Sequence, residues 1–361
     1  MKNSSISSSD RQSMQAAPVD GSEKKSDWMT SLAAAMACAL IVLIGYEWTL
    51  RTTGAQPNFR DNQARWSLVR EAVAKDRTQD SIALLGTSRI RAAISLAELE
   101  SRYPNQSIYP LGYIGRGPCA VLQDLADNTE FQGTILVSMH ANWVDCRSDP
   151  FQMHSVVARY HQEWNWARKI DGQIANAVTD KLVLTDPRHS IRKMILNTME
   201  FGNPLTPNEY EITRENRQLE FNFSQISDAD LERMRSHSRY AFLGRIGDGD
   251  GKRADNWSSG LDLLNEAIET IVARGGQVVI VRLPTSGPLR LEEEQHFPRQ
   301  VFWDDLAATL PASTILHFED DAVLSNFKTP DGNHVDYRDA PRFTGVLFDE
   351  LERRGTDFSR R

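Results

Sequence analysis

Hydrophobic and polar positions divide the chain into four zones. Residues 1–27 are rich in Ser, Asp and Lys and almost free of large apolar side chains, so burial there cannot offset the entropy of ordering. A disordered tail is expected. Trp28 to Tyr46 form an uncharged apolar run bracketed by Trp28 at one end and by Tyr46 and Trp48 at the other. Its length matches the roughly 20 residues that cross a hydrocarbon layer, and its aromatic ends suit the interfaces. Residues 28–48 are therefore assigned as a transmembrane anchor and 49–79, where NFRDNQARWSLVREAVAKD has helical spacing, as a helical stalk or first helix. From about Asp80, short apolar runs alternate with helical patterns. SIALLG, SIYPLG, GTILVSM, QVVIVRLP and STILHF read as buried parallel strands. Ser95-Leu-Ala-Glu98 opens a helix as a capping box, and SSGLDLLNEAIETIVARGG has Ser at its start and paired Gly at its end. The pattern predicts an α/β fold with a doubly wound, five-stranded parallel sheet over residues 80–355.

The third and fourth strands are separated by a long aromatic and charged excursion, residues 145–257, far more than the dozen or so that a crossover needs. It predicts a helical insertion that serves either as a lid or partner-binding face or as a structural subdomain. Lys24 and Lys25 precede the anchor, whereas Arg51 is partly balanced by Glu47, which places the tail in the cytoplasm and the domain outside. A cleaved signal peptide is the alternative, but Gly45-Tyr46-Glu47-Trp48 offers no small-x-small site, and Cys38 sits inside the apolar run instead of at a lipoprotein-like end.

With 361 residues, 40% hydrophobic and 25% charged, the chain can bury one large core. A net charge of -8 advertises no nucleic-acid surface. Cys38, Cys119 and Cys146 form no metal-ligand pattern. Asp248-Gly-Asp-Gly251 superficially resembles a calcium loop, but Ser259 stands where its twelfth-position carboxylate belongs. No metal or organic cofactor is implied. Cys119 and Cys146 both follow neighbouring strands at the same sheet edge, so export would permit a disulfide between them; free buried thiols are the alternative.

Candidate chemistry lies at the two ends of the domain. The first strand runs into Leu85-Gly-Thr-Ser-Arg89, which puts the Ser88 hydroxyl at a helix start beside backbone N–H groups, although Ser is also a common helix cap. Near the C-terminus, Thr329-Pro-Asp-Gly-Asn-His334 is a polar turn in which Asp331 can orient His334; an ordinary loop histidine has the same sequence form. Serine needs a base, and this histidine can supply one. Arg89, Arg91 and Arg282 could meet an anionic substrate or form salt bridges, and His140 either lines the site or is packed.

The two motifs together resemble the SGNH (GDSL-like) hydrolase superfamily, whose fold is flavodoxin-like. Its first block is matched by Gly86-Thr-Ser88 and its last, Asp-x-x-His, by Asp331 and His334. The resemblance implies Ser88, Asp331 and His334 as a catalytic triad, with the oxyanion hole built from Ser88, Gly115 and Asn142; by their position beside these residues, Arg89 and His140 are candidates to line the substrate. Gly115 stands in Leu111-Gly-Tyr-Ile-Gly115 for the second block. The third block, usually Gly-x-Asn-Asp, is His140-Ala-Asn-Trp143 and keeps only its Asn; Thr87 replaces a frequent Asp. Anchor, early Ser and late Asp-x-x-His are similar in order to the teichoic-acid D-alanylation proteins of the DltD type, whereas the alginate acetylation proteins of the same broad group have their Asp-His pair before the Ser. That likeness implies an exported acyltransferase or esterase acting on acyl esters of a cell-surface polysaccharide, with a membrane-bound O-acyltransferase as a candidate partner. The rivals are a lipase or carboxylesterase for small acyl esters and a catalytically silent scaffold that binds glycan or such a partner.

Overall fold

The computed structural model describes residues 21–55, 57, 59, 61–147, 151–186, 189–201, 210–246 and 252–359. Two compact units divide the chain at Ala55 and Gln56. In the first, the described residues form a helix over Gly21–Thr52. Its segment Trp28–Thr52 is long and apolar enough to cross a membrane, with a mean hydropathy of 2.1 in its most apolar window. The helix starts seven residues before the apolar run, because Glu23, Lys24 and Lys25 extend a nucleated helix at little cost. The end of the expected tail is therefore helical, and residues 1–20 lie outside the described residues.

Among the described residues the second unit holds seven strands: β1 (Ser81–Leu85), β2 (Ser107–Pro110), β3 (Thr134–Ser138), β4 (Glu211–Thr213), β5 (Leu219–Phe221), β6 (Gln277–Arg282) and β7 (Thr314–His317). Five of them form one parallel sheet in the order β2-β1-β3-β6-β7. All five apolar runs read from the sequence are its strands. β1 and β3 are buried along their whole length, as strands covered on both faces must be. Alternate side chains feed two cores. Ala83, Leu85, Ile135 and Ile280 join Leu125 and Ile268 of the helices Cys119–Asn128 and Lys252–Ala273. Ile82, Leu84, Leu136 and Val281 join Leu99, Phe343 and Leu347 on the other face. The order is the doubly wound, flavodoxin-like one, with its crevice where connections from neighbouring strands leave in opposite directions, outside the carboxyl ends of β1 and β3.

The helix expected in the stalk forms at Gln63–Lys75, capped by the Asn62 side chain, which accepts from the Arg65 N–H. It is no stalk. Trp66 and Val73 are fully buried in the core, and the Trp66 indole N–H donates to the Leu111 carbonyl at 3.0 Å. The folded unit thus begins at Gln56 instead of near Asp80, because the apolar face of this helix is too large to leave in water.

The insertion carries helices His154–Glu163, Trp166–Thr179, Ile191–Phe201 and Asp228–Ile246, and a small antiparallel hairpin of β4 and β5. The hairpin has no Gly-based turn signal, since Arg217 itself takes the left-handed conformation (φ 68°), held by Asp61 and the Gly112 carbonyl. The residues of the Asp248–Gly251 loop lie outside the described residues.

Cys119 and Cys146 are paired, with Cα atoms 5.3 Å apart and both residues buried. Closing a loop of sequence separation 27 removes unfolded-state entropy worth about 3–4 kcal/mol. A Cys119→Ala/Cys146→Ala variant should melt roughly 5–10 °C lower by calorimetry. An unchanged midpoint would show that the bridge does not constrain the unfolded chain.

Candidate active site

Three loops leave adjacent strands at the carboxyl edge, after β2, β1 and β3. The β1 loop begins with Gly86 at φ 148°, where an added Cβ would lie 2.9 Å from Cβ of Ser138 and 3.1 Å from Ile90. Only glycine lets the chain turn this close to β3. Thr87 then caps the helix Ser88–Ala93, its hydroxyl accepting from the Arg89 N–H at 3.3 Å. Ser88 becomes the first residue of the helix, half-buried, with its N–H among the first-turn donors that a helix cannot satisfy internally.

From 246 residues further on, His334 comes to Ser88: Oγ lies 2.8 Å from Nε2. His334 Nδ1 lies 2.7 Å from Asp331 Oδ2, and Asp331 Oδ1 accepts the backbone N–H groups of Asn333 (2.9 Å) and His334 (2.7 Å). Asp331 is 2% exposed, and burial alone would raise its pKa. The His334 imidazole and these hydrogen bonds outweigh burial and hold it below the usual carboxylate range. An ionised carboxylate only accepts, so Nδ1 carries the proton and the Nε2 lone pair faces the serine hydroxyl. The loop that holds this pair turns at Gly332 (φ 83°), whose N–H donates to Thr329 and whose carbonyl accepts from Ser286 after β6.

Four further residues support the imidazole, and the sequence did not single out any of them. Phe221 of β5 stacks on the His334 ring with centroids 4.1 Å apart and planes 18° from parallel. Its carbonyl accepts from the Tyr337 N–H, and Asp336 accepts from the Phe223 N–H at 3.1 Å, so the insertion hairpin is stitched to the histidine loop. Arg235, from the insertion helix Asp228–Ile246, donates to the Pro330 carbonyl at 2.8 Å. Asn333 accepts from Arg89 Nε at 2.5 Å and places its amide nitrogen 3.2 Å from His334 Nε2. The insertion is therefore part of the site's wall. Phe221→Leu keeps most of the buried volume but removes the stack; labelling of Ser88 by a fluorophosphonate should slow roughly 10- to 100-fold, the scale set by misplacing a catalytic group by about 1 Å. An unchanged rate with a lowered melting point would make Phe221 a packing residue only.

The other expected site residues are distributed as follows. Gly115 lies in the turn after β2 with φ 67° and open space where a Cβ would be. Asn142 lies in the short helix Ala141–Trp143 after β3, with its N–H 3.1 Å and its side-chain oxygen 2.5 Å from His140 Nδ1. If Nδ1 carries the proton, the amide NH2 faces away from the ring; if Nε2 carries it, the amide turns to give one hydrogen and keeps a second. Either way Asn142 retains a donor. His140 is buried between Phe242 and Phe297, both edge-on, and burial with the nearby Arg282 pushes its pKa down to about 3. It is a packed, neutral histidine. Arg89 pairs with Glu293 at 2.8 Å and Arg282 with the same carboxylate at 2.5 Å, Thr285 adding a hydroxyl at 2.6 Å. Arg91 is buried against Asp61 at 2.7 Å. All three arginines are thus engaged by carboxylates of this chain.

No protein-family model matches the chain, and no curated protein matches it. Among solved structures, the crystal structure of TesA aligns over 76% of this chain and 98% of its own length at 10% identity, with a TM-score of 0.34. That likeness carries no argument about the site.

Proposed function

We propose that this chain is an exported, membrane-anchored serine acyltransferase or esterase of the SGNH type, acting on acyl esters of a cell-surface polysaccharide. The reading rests on one observation above all: a hydroxyl, an imidazole and a buried carboxylate in hydrogen-bonded series at the carboxyl edge of a doubly wound sheet. In it, Ser88 attacks the acyl carbonyl while His334 Nε2 takes its proton, and Asp331 stabilises the imidazolium. The N–H groups of Ser88 and Gly115 and the Asn142 amide meet the negative oxygen, each such donor being worth about 3–4 kcal/mol. His334 then protonates the departing alcohol, and a sugar hydroxyl or water, deprotonated by the same imidazole, attacks the acyl carbonyl and releases the acyl group as His334 returns that proton to Ser88 Oγ. Export is supported by the apolar N-terminal helix and by the Cys119–Cys146 bridge, which persists in oxidising compartments. A silent scaffold that binds glycan or a membrane-bound O-acyltransferase is the second reading, favoured by the third block, in which Asn142 leans on His140.

The test supplies an activated acyl ester with and without polysaccharide and follows the acyl group by mass spectrometry. Acyl-Ser88 whose group passes to polysaccharide is the expected result. Free acid at the same rate regardless of acceptor would reduce the enzyme to an esterase, and the absence of acyl-Ser88 would leave the scaffold.

A further inference from the structure

The helix Trp166–Thr179 is built inside out. Surface helices turn their apolar stripe to the core and their polar face to water. Here the inward face is Gly172 and Asn176. Gly172 lies where an added Cβ would come 2.6 Å from the Ala64 side chain, and Asn176 accepts from the Asn62 amide at 3.0 Å. The outward face, one residue per turn, is Trp166, Ile170, Ile174 and Val178. The helix Ile191–Phe201 repeats the pattern with Ile191, Ile195 and Met199, and these seven side chains are 48% to 81% exposed. On each helix this leaves a run of exposed apolar side chains that water alone would not favour.

We infer that these two insertion helices lie in the interface of a lipid bilayer, with the apolar stripes among the acyl-chain ends. Three observations choose lipid as the occupant. Each helix carries an Arg-Lys pair in a chain of net charge -8; Lys169 is taken by Glu71 and Arg168 lies 3.8 Å from Glu163, so Arg192 and Lys193 are the pair that anionic headgroups would attract. Lys169 also reaches Glu71 at 3.1 Å, and so fixes the helix to the helix Gln63–Lys75. Lastly, only the ten residues 53–62 join Thr52, the end of the apolar helix, to that same helix, a tether of at most about 35 Å. The inside-out helix is thus clamped to the first element that follows the span in the chain. The inference needs the span but not the serine chemistry.

The experiment uses the full chain with Cys38→Ser, so that the exposed cysteine of the apolar helix carries no label. An environment-sensitive fluorophore is attached at Ile174→Cys or Met199→Cys, with Tyr240→Cys on an exposed turn of the helix Asp228–Ile246 as reference. The protein is reconstituted into vesicles of zwitterionic lipid with and without a quarter of anionic lipid. Emission from positions 174 and 199 should shift to the blue and fall about twofold with spin-labelled lipid, most strongly with anionic lipid present, while position 240 stays water-like. Water-like emission at both positions overturns the inference. So does protection that appears only in native membranes, because a protein partner then covers the face, and so does a chain that alkaline carbonate extracts from the vesicles, because no span then holds it there. The last result leaves Ser88 labelling unaffected, which separates it from failure of the proposed function.

Discussion

Ser88→Ala is expected to abolish fluorophosphonate labelling and to lower turnover of an activated ester by at least about 1,000-fold, the scale on which loss of a triad nucleophile is felt elsewhere. The melting point should hardly move. The serine is half-buried at a helix start, and its side chain makes one hydrogen bond, to His334, of net worth about 1 kcal/mol or less. Asp331→Asn should cost nearly as much activity by a different route. The amide can no longer take the Nδ1 proton as a charged acceptor; turned with its NH2 to Nδ1, it drives the proton to Nε2 and removes the base that faces Ser88. The contrast with Phe221→Leu is informative, since that change leaves every proton donor and acceptor in place and disturbs only the plane of the ring. Labelling that persists in Ser88→Ala would remove the serine from the role assigned to it.

The parts of this architecture that could be read from the sequence are those whose signal is local. Five apolar runs of four to six residues between turn residues gave the five sheet strands, because a parallel strand covered on both faces must be apolar throughout. Gly86, Ser88, Asp331 and His334 were legible because turn chemistry and nucleophile chemistry share the same few residues. What escaped depends on distant partners. Phe221 looks like any strand phenylalanine until the fold brings it to His334, and Asn333 is an ordinary loop residue until Arg89 orients it. The Gln63–Lys75 helix reads as an amphipathic stalk, and nothing in its own residues tells that Trp66 will find the Leu111 carbonyl. Arg282 and Glu293 fail as sequence signals for the converse reason: a buried ion pair and an anion-binding site are written in the same residue types, and only the distance of 2.5 Å separates them.

Acid should unfold this protein earlier than its carboxylates alone would require. His140 and His317 are both buried in the fold, and burial, with Arg282 the next largest influence on each, pushes their pKa values down to about 3 and about 2. Arg89 and Glu293 also face His140, and Arg290, Arg299 and Glu319 face His317. An unfolded chain takes up these protons near pH 6.5, whereas the folded chain refuses them until far lower pH, so stability is fully present above about pH 6.5 and falls steadily below it. By pH 4.5 each histidine has cost about 2–3 kcal/mol, and the two together remove about 5 kcal/mol, comparable to the whole stability of many domains. Glu293, Asp331 and Asp61 contribute little above about pH 5. Their folded pKa values are depressed, so the stability they supply is present above the unfolded carboxylate range and lost only as pH falls through and below it. Urea unfolding at pH 7.5, 6 and 4.5 should therefore show a midpoint that has already dropped at pH 6, before the carboxylates titrate, and His317→Asn should remove about half of that drop, since asparagine can still accept from the Glu319 N–H but takes up no proton. A midpoint that stays level down to pH 4.5 would mean that the two histidines are charged in the folded protein, and that the Arg282–Glu293 cluster at the sheet edge holds a different balance of charge from the one described.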